Sequence, residues 1–205
     1  MRLQDFDYDL PAELIAQEPL SKRDSSRMMV LNRKTGEIQH TLFSCFPDFV
    51  RRNDLLVLNN SRVIPARLYG RRKDRNIEFL LVQKTGEHTW RVLCRPAKHV
   101  RKDDRIMFSD RLEAKVTAEL SEGQRLLTFN RDNLDPELDR VGYAPLPPYI
   151  KRKKQTEELR RLDLERYQTV FADIPGSIAA PTAGLHFTKD ILSRIENRGA
   201  GITEV

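Results

Sequence analysis

The chain has 205 residues, of which 39% are hydrophobic and 32% charged, a composition that fits a folded protein and excludes wholesale disorder. No stretch approaches the roughly 20 apolar residues of a membrane span, and the N-terminus lacks the apolar run of a signal peptide, so we expect a cytoplasmic protein without a membrane partner. The formal net charge is +6 and the pI about 9.4, which favours an anionic partner such as nucleic acid.

The first sixty residues predict a short helix, a hairpin and a buried strand. DLPAELIAQ places Pro11 at a first helical position. Met28–Leu31 and Glu37–Phe43 flank a turn signal around Gly36, which predicts a β-hairpin. DLLVLNNS, residues 54–61, is a continuous apolar run that ends at two asparagines, as expected of a strand that is covered on both faces.

From about Arg67 to Asn130, short apolar runs recur every ten residues or so and are separated by turn signals. This spacing predicts a small antiparallel sheet or barrel. The prolines of VGYAPLPPYIKR then mark an extended crossing segment. We therefore predict one domain from residues 1–66 and 145–205, interrupted by a second domain, residues 67–144.

The end of the chain predicts a helix around residues 157–171, a second helix over 189–197 and the start of a strand in GITEV. Thr188 is the expected N-cap of the second helix, and Gly199 its expected stop. A strand start directly after a helix suggests that a βαβ-like element is interrupted at this point.

Basic residues are concentrated in three clusters, which favour contact with phosphates. A solvated charged surface is the alternative. The first cluster is Lys151, Arg152, Lys153 and Lys154 with Arg160, Arg161 and Arg166; the second is Arg95, Lys98, Arg101, Lys102 and Arg105; the third is Arg71, Arg72, Lys73 and Arg75.

The segment LNNSRVIPAR offers amides and permanently charged guanidinium groups directly after the predicted buried strand. Asn59, Asn60, Arg62 and Arg67 are therefore candidates to bind a carboxylate, a phosphate or a ribose edge. The alternative is that the asparagines only form a turn while the arginines pair with surface acids.

The segment AAPTAGLHFT, residues 179–188, contains one histidine among small residues and a proline, directly before the predicted helix. Imidazole is the side chain that most often transfers protons near neutrality. Gly184 leaves room for peptide N–H groups to approach a ligand. His186 is accordingly a candidate general base, with a buried structural histidine as the alternative.

Several familiar sites are missing from the sequence. It has no G-x-G-x-x-G, P-loop or G-x-S-x-G motif. The four histidines and two cysteines do not occur at metal-ligand spacing, so no metal is expected.

Seven segments, in order and spacing, resemble the S-adenosylmethionine:tRNA ribosyltransferase-isomerase family of queuosine biosynthesis. Members of that family look roughly half as long again, so the resemblance suggests either a fragment or a truncated product. The segments are DFDYDLPAELIAQEPL, RDSSRMMVL, TGEIQH, DLLVLNNSRVIPARL, PLPPYIKR, RYQTVFA and AAPTAGLHFT.

The resemblance implies a mixed α/β fold, a discontinuous α/β domain with an inserted antiparallel β-barrel. It implies transfer and isomerisation of the ribosyl group of S-adenosylmethionine onto 7-aminomethyl-7-deazaguanine at the wobble position of tRNA. Epoxyqueuosine forms, and adenine and methionine are released. S-adenosylmethionine would thus be a consumed substrate, and no cofactor is expected. A truncated, non-catalytic RNA-binding module is the alternative, and we expect a monomer.

On the matching segments, we hypothesise roles for three groups of residues. His186 would be the base or a proton shuttle, removing a proton from the carbon beside the sulfonium. The methionine carboxylate or ribose would be bound by Asn59, Asn60, Arg62 and Arg67, with Tyr167, Thr182 and Gly184 at the substrate-facing cleft. The tRNA backbone would contact Lys151, Arg152 and Arg166.

Overall fold

The structure is a computed structural model that describes residues 2–152 and 155–205. Within those ranges, twelve strands and three α-helices are joined by short 3₁₀ helices. The strands are β1 (Arg27–Leu31), β2 (Ile38–Leu42), β3 (Leu55–Leu58), β4 (Ser61–Val63), β5 (Arg67–Arg72), β6 (Arg75–Lys84), β7 (Thr89–Arg95), β8 (Arg105–Met107), β9 (Glu113–Glu119), β10 (Gln124–Phe129), β11 (Ile174–Ser177) and β12 (Gly201–Glu204). The α-helices are α1 (Asp135–Val141), α2 (Glu157–Arg166) and α3 (Lys189–Asn197).

Strands β5 to β10 close into an antiparallel barrel in the order β10-β7-β6-β5-β8-β9. Successive side chains of a strand point to opposite faces, and the odd-numbered residues Ile77, Phe79 and Leu81 of β6 are at most 1% exposed. Buried Arg125 closes one end of this core, donating to the carbonyls of Ala97 and Val100 at 3.0 and 2.8 Å. The predicted barrel, and with it the mixed α/β class, is confirmed.

Two short parallel strand pairs lie outside the barrel. Strand β12 pairs with β3, and β11 pairs with β4. Helix α3 buries Ile191 and Ile195 completely, in a cluster with Phe187 and with apolar residues of the 3₁₀ helix Phe43–Phe49. The strand expected in GITEV is thus present, parallel to β3.

Strand β3 is not covered on both faces, contrary to the sequence prediction. Leu58 is 5% exposed, and Leu56 packs beside the α3 cluster, but Leu55 and Val57 are 63% and 54% exposed. An apolar run does not distinguish one covered face from two. The described part of the chain supplies cover on the α3 side alone.

The N-terminal prediction was half right. The hairpin β1/β2 is present and antiparallel, with Gly36 at φ 75° in its turn. The opening helix, in contrast, is a single 3₁₀ turn, Ala12–Leu14, with Leu14 70% exposed. A short helix is marginal without an apolar surface to pack against, and none covers this one among the described residues.

Both longer helices begin at a threonine cap. The hydroxyl of Thr188 accepts a hydrogen bond from the Ile191 N–H at 3.2 Å, and Thr156 accepts one from Leu159 at the same distance. Helix α3 ends before Gly199, whose φ of 83° is in the left-handed region. The predicted cap and stop of α3 are therefore confirmed.

The chain enters and leaves the barrel at one point. The Arg67 N–H donates to the Tyr143 carbonyl at 3.2 Å, and the Tyr143 N–H donates back at 2.8 Å. The division into residues 1–66 with 145–205 and residues 67–144 stays a prediction.

Gly142 lies where this crossing chain packs most tightly. An added Cβ would be 2.5 Å from the Leu138 carbonyl oxygen and would also collide with the carbonyl of Pro65. Because these neighbours are backbone atoms, they cannot rotate away. We expect Gly142→Ala to lower the free energy of unfolding by about 2 kcal/mol, as overpacking does. Urea unfolding followed by circular dichroism measures this, with Gly86→Ala as the control, where the nearest atom would be 3.5 Å away. Equal midpoints for the two variants would contradict the expectation.

No helix among residues 2–152 and 155–205 is long and apolar enough to cross a membrane.

Candidate functional site

A cavity of about 840 Å³ opens between four segments of the chain and is called the cleft below. This volume is typical of sites that bind small molecules. The lining residues are Ala16, Gln17, Glu18, Pro19, Leu20, Lys22, Arg23, Ser25, Ser26, Arg27, Leu146, Pro147, Tyr149, Ile150, Arg152, Asp163, Arg166, Tyr167, Thr182, Leu185 and His186.

The corner segment AAPTAGLHFT forms one wall of the cleft. Residues Thr182–His186 turn as a 3₁₀ helix, and both ends of this turn line the cleft. The ring of His186 packs against Phe43, with 5.3 Å between ring centroids. Among the described residues the imidazole has no hydrogen-bond partner, so its nitrogens are available to a ligand.

Gly184 has a packing role within that turn. It is buried, and an added Cβ would lie 3.0 Å from both Thr169 and Phe171. Its missing side chain lets the turn approach the segment that follows α2. Gly184 therefore positions His186 rather than lining the cleft itself.

Tyr167 is the C-cap of α2 and is 7% exposed, with Val63, Ala144 and Ala180 in the same buried cluster. Burial raises the pKa of its phenol, against an opposing hydrogen bond with the Ala180 backbone. At neutral pH the hydroxyl therefore keeps its proton. It can donate a hydrogen bond to a ligand in the cleft.

A buried ion pair forms the floor of the cleft. The guanidinium of Arg152 donates to both carboxylate oxygens of Asp163, at 2.9 and 2.7 Å, and the two side chains are 10% and 9% exposed. The third nitrogen of the Arg152 guanidinium, Nη1, donates to the Gln17 carbonyl at 2.7 Å. The carboxylate raises the pKa of Arg152. All three nitrogens of this guanidinium therefore donate hydrogen bonds within the chain.

Two further arginines join the N-terminal segment to the end of α2. Arg166 donates to the carbonyls of Leu20 and Ser21 at 2.7 and 3.1 Å. Arg23 donates in the opposite direction, to the carbonyls of Glu165, Arg166 and Leu185 at 2.9 to 3.3 Å. Burial, followed by the charge of Arg166, lowers the pKa of Arg23. Together the two arginines hold the irregular N-terminal segment in place as a wall of the cleft.

A second cavity of about 260 Å³ adjoins the cleft and shares Arg152, Asp163, Leu146 and Ile150 with it. Arg67 lines this smaller cavity. It donates to the Leu146 carbonyl at 2.6 Å and lies 3.3 Å from a carboxylate oxygen of Glu78.

Two tyrosines line the smaller cavity as well. Tyr69 and Tyr143 meet edge to face, with 5.2 Å between their ring centroids. Burial, and next the charge of Glu78, raises the pKa of the Tyr69 phenol.

Asn59, Asn60 and Arg62 line neither cavity. The Asn59 side chain accepts from the Ser61 N–H at 2.8 Å, which is a local turn. The Asn60 amide donates to Glu204 at 3.1 Å. The structure thus brings His186, Thr182, Tyr167, Arg152 and Arg166 to one cleft, but not these three.

The first basic cluster is dispersed by folding. Lys151 is exposed, and its N–H donates to Gln17 at 2.8 Å; Lys153 and Lys154 lie outside the described residues. Arg160 is buried against the carbonyls of Gly142 and Asp139, and stacks over the ring of Tyr143.

Sequence reasoning did not select Arg23, Asp163 or Gln17. The partners of Arg23 are backbone carbonyls, which carry no residue-type signal. Asp163 lies in the middle of a charged helix, where nothing local distinguishes it from a solvated acid. In the described part of the chain, no group of three histidines, cysteines or acids is close enough to hold a metal ion.

Comparison with known proteins gives a single consistent family. The family described as "Queuosine biosynthesis protein" matches residues 3–205. The S-adenosylmethionine:tRNA ribosyltransferase-isomerase of Desulfitobacterium hafniense is 45% identical over 209 residues, which cover 100% of this chain and 59% of the relative. The protein of the same name from Acetivibrio thermocellus is 46% identical, with the same two coverages.

Among solved structures, this chain is similar to the crystal structure of S-adenosylmethionine tRNA ribosyltransferase from Thermotoga maritima. The identity is 35%, the match covers 98% of this chain and 56% of that one, and the TM-score is 0.38. The chain spans about 59% of the length of the curated relatives named above. The match over residues 3–205 shows that the chain belongs to the queuosine biosynthesis protein family.

Proposed function

We propose that this chain forms the substrate-binding part of an S-adenosylmethionine:tRNA ribosyltransferase-isomerase. The observation that carries the proposal is the cleft of about 840 Å³, because segments that resemble the family meet there in three dimensions. Segments 16–27, 146–152, 163–167 and 182–186 are far apart in the chain, yet all of them line it.

The proposed reaction transfers the ribosyl group of S-adenosylmethionine to 7-aminomethyl-7-deazaguanine at the wobble position of tRNA and isomerises it to an epoxycyclopentane. Adenine and methionine leave, so S-adenosylmethionine is a consumed substrate and no cofactor is required. A tRNA substrate favours a cytoplasmic location, and we propose a monomer.

His186 is proposed as the base or proton shuttle of this reaction. The carbon beside a sulfonium is acidified, so an imidazole at the cleft wall can act as the base that removes its proton. Tyr167 is proposed as a hydrogen-bond donor to the leaving adenine, since burial keeps its hydroxyl protonated. Thr182 lies on the same wall and offers a hydroxyl to the substrate.

The assignments of the charged residues are refined by their contacts. We propose that Arg152 and Arg166 shape the cleft rather than bind the tRNA backbone. The guanidinium of Arg152 is engaged by Asp163 and Gln17. Both terminal nitrogens of Arg166 are engaged by the carbonyls of Leu20 and Ser21. Lys151, which is exposed, stays a candidate for the tRNA backbone.

Candidates for the methionine carboxylate or the ribose also differ in placement. Arg67 lines the smaller cavity beside the cleft and keeps the proposed role. For Asn59, Asn60 and Arg62, which line neither cavity, the role rests on the sequence alone.

Release of adenine tests the function. Two proteins are mixed with S-adenosylmethionine and tRNA carrying 7-aminomethyl-7-deazaguanine: this chain, and this chain followed by the remaining segment of the Desulfitobacterium hafniense relative. The relative itself is the positive control. We expect the joined protein to release one adenine per modified base.

Absence of adenine from the joined protein, while the relative is active and both proteins are folded, would contradict the proposal. Binding of tRNA by this chain without any release from either protein would favour the non-catalytic RNA-binding module instead.

A further inference from the structure

Two of the basic clusters predicted from sequence meet at one end of the barrel. The hairpin between β5 and β6 carries one cluster, and residues 95–105 carry the other. Arg75 Nη1 lies 3.2 Å from His99 Nε2, and Arg72 Nε lies 2.6 Å from Asp104 Oδ2. The barrel-end patch is defined here as Arg72, Arg75, Lys98, His99 and Arg101.

The two segments that carry these clusters have an excess of positive charge equal to the net charge of the chain. Residues 71–75 and 95–105 contain nine of the 36 lysines and arginines but three of the 30 acids. The rest of the chain therefore has 27 of each and is neutral. The excess of positive charge that makes the pI basic is therefore matched by these two short segments.

The acids nearest to the patch neutralise it in part. Asp104 pairs with Arg72, and Glu119 lies 3.2 Å from Arg101. Within the described ranges, Arg75 and Lys98 have no carboxylate partner. Burial, followed by the charges of Arg75, Lys98, Arg72 and Arg101, lowers the pKa of His99. Several cations therefore act on one small region that an anion would stabilise.

The arrangement is maintained in spite of its electrostatic cost. Arg72 and Arg75 face each other directly across β5 and β6, where like charges destabilise a strand pair. Beneath the patch, buried Arg125 holds the carbonyls of Ala97 and Val100 and so fixes the segment that carries Lys98. Repulsion of this kind is relieved when a polyanion binds.

We propose that the barrel-end patch binds phosphates of the tRNA backbone at a distance from the cleft, an inference that rests on the proposed function. Strand β5 connects the two sites: Arg67 lines the cavity beside the cleft, and Arg72 belongs to the patch. Five residue steps of a strand span about 17 Å. That is the length of about five stacked bases at 3.4 Å each. A tRNA with one nucleotide at the cleft therefore reaches the patch along the barrel.

Binding of fluorescently labelled tRNA between 50 and 200 mM KCl tests the proposal on this chain. We expect Arg75→Ala/Lys98→Ala to weaken binding about tenfold and to reduce the slope of log affinity against log salt by about two. The matched control is Lys84→Ala/Arg131→Ala, which removes two exposed cations. Lys84 is at the opposite end of β6, about 30 Å away by strand rise. Arg75→Lys/Lys98→Arg keeps the charges and is expected to bind as the unmodified chain does.

Wild-type affinity and salt slope in Arg75→Ala/Lys98→Ala, with an unchanged thermal midpoint, would overturn the proposal. So would an equal loss in the Lys84→Ala/Arg131→Ala control, or binding to anionic vesicles without binding to tRNA. The adenine-release assay judges the proposed function separately, because it reports on the cleft in the joined protein. If the joined protein releases adenine but the patch substitutions do not change tRNA binding, this inference is wrong and the proposed function is still supported.

Discussion

Asp163→Ala is expected to lower the free energy of unfolding by about 3–5 kcal/mol, the largest stability effect that the structure predicts. The substitution would leave the Arg152 guanidinium, 10% exposed, without its carboxylate at the floor of the cleft. A buried charge without a partner loses its hydration and gains nothing in return. The effect should be visible as a lower denaturant midpoint in urea or guanidinium unfolding.

An exposed ion pair provides the control for this substitution. Asp190 and Arg194 are one turn apart on α3 and 4.0 Å from each other, with side chains 76% and 43% exposed. Asp190→Ala is expected to cost less than about 1 kcal/mol. Replacing both Arg152 and Asp163 by apolar residues of similar volume should recover most of the loss, because no charge is then stranded. A small effect of Asp163→Ala, similar to that of Asp190→Ala, would show that the pair is solvated and not buried.

His186→Ala is expected to reduce the turnover of the joined protein by about 10²–10⁴-fold, the usual contribution of a positioned general base. The substitution removes the packing of the imidazole against Phe43. The fold should survive, because the imidazole has no hydrogen-bond partner among the described residues. The Michaelis constant for S-adenosylmethionine should change much less than the turnover, because proton removal is a step of the reaction and not of binding.

His40→Ala is the matched control for that experiment, since His40 is exposed on β2 and lines neither cavity. It should leave turnover unchanged. Near-normal turnover of His186→Ala would assign the base to another residue of the cleft, and a parallel loss in His40→Ala would point to general damage of the protein.

The barrel was predictable from sequence because its signals are local. Short apolar runs such as the one that contains Ile77, Phe79 and Leu81 mark the strands, and turn residues mark their ends. The caps of α3 were predictable for the same reason, since Thr188 and Gly199 act on neighbouring backbone groups. The exposure of one face of β3 was not predictable, because covering Leu55 and Val57 depends on which distant segments pack there.

The cleft shows the same limit. His186 and Thr182 could be selected from one decapeptide, but the ring of side chains around them is assembled by contacts across the chain. Arg23 and Arg166 work through carbonyl groups more than 140 residues away, and every residue type supplies such groups. Asn59 looked like a ligand for the opposite reason: its amide satisfies a turn two residues on, a use that a sequence does not distinguish from binding.

The two hydrogen bonds between Arg67 and Tyr143 have an evolutionary consequence. They hold the residue where the chain enters the barrel beside the residue that follows its exit. The rest of the chain is therefore joined to the barrel at two adjacent points. A segment with adjacent ends can be gained, lost or exchanged without stretching the chain that receives it. A variant without the barrel would thus need only a tight turn at this point, and a short hairpin grafted between these two residues would supply it.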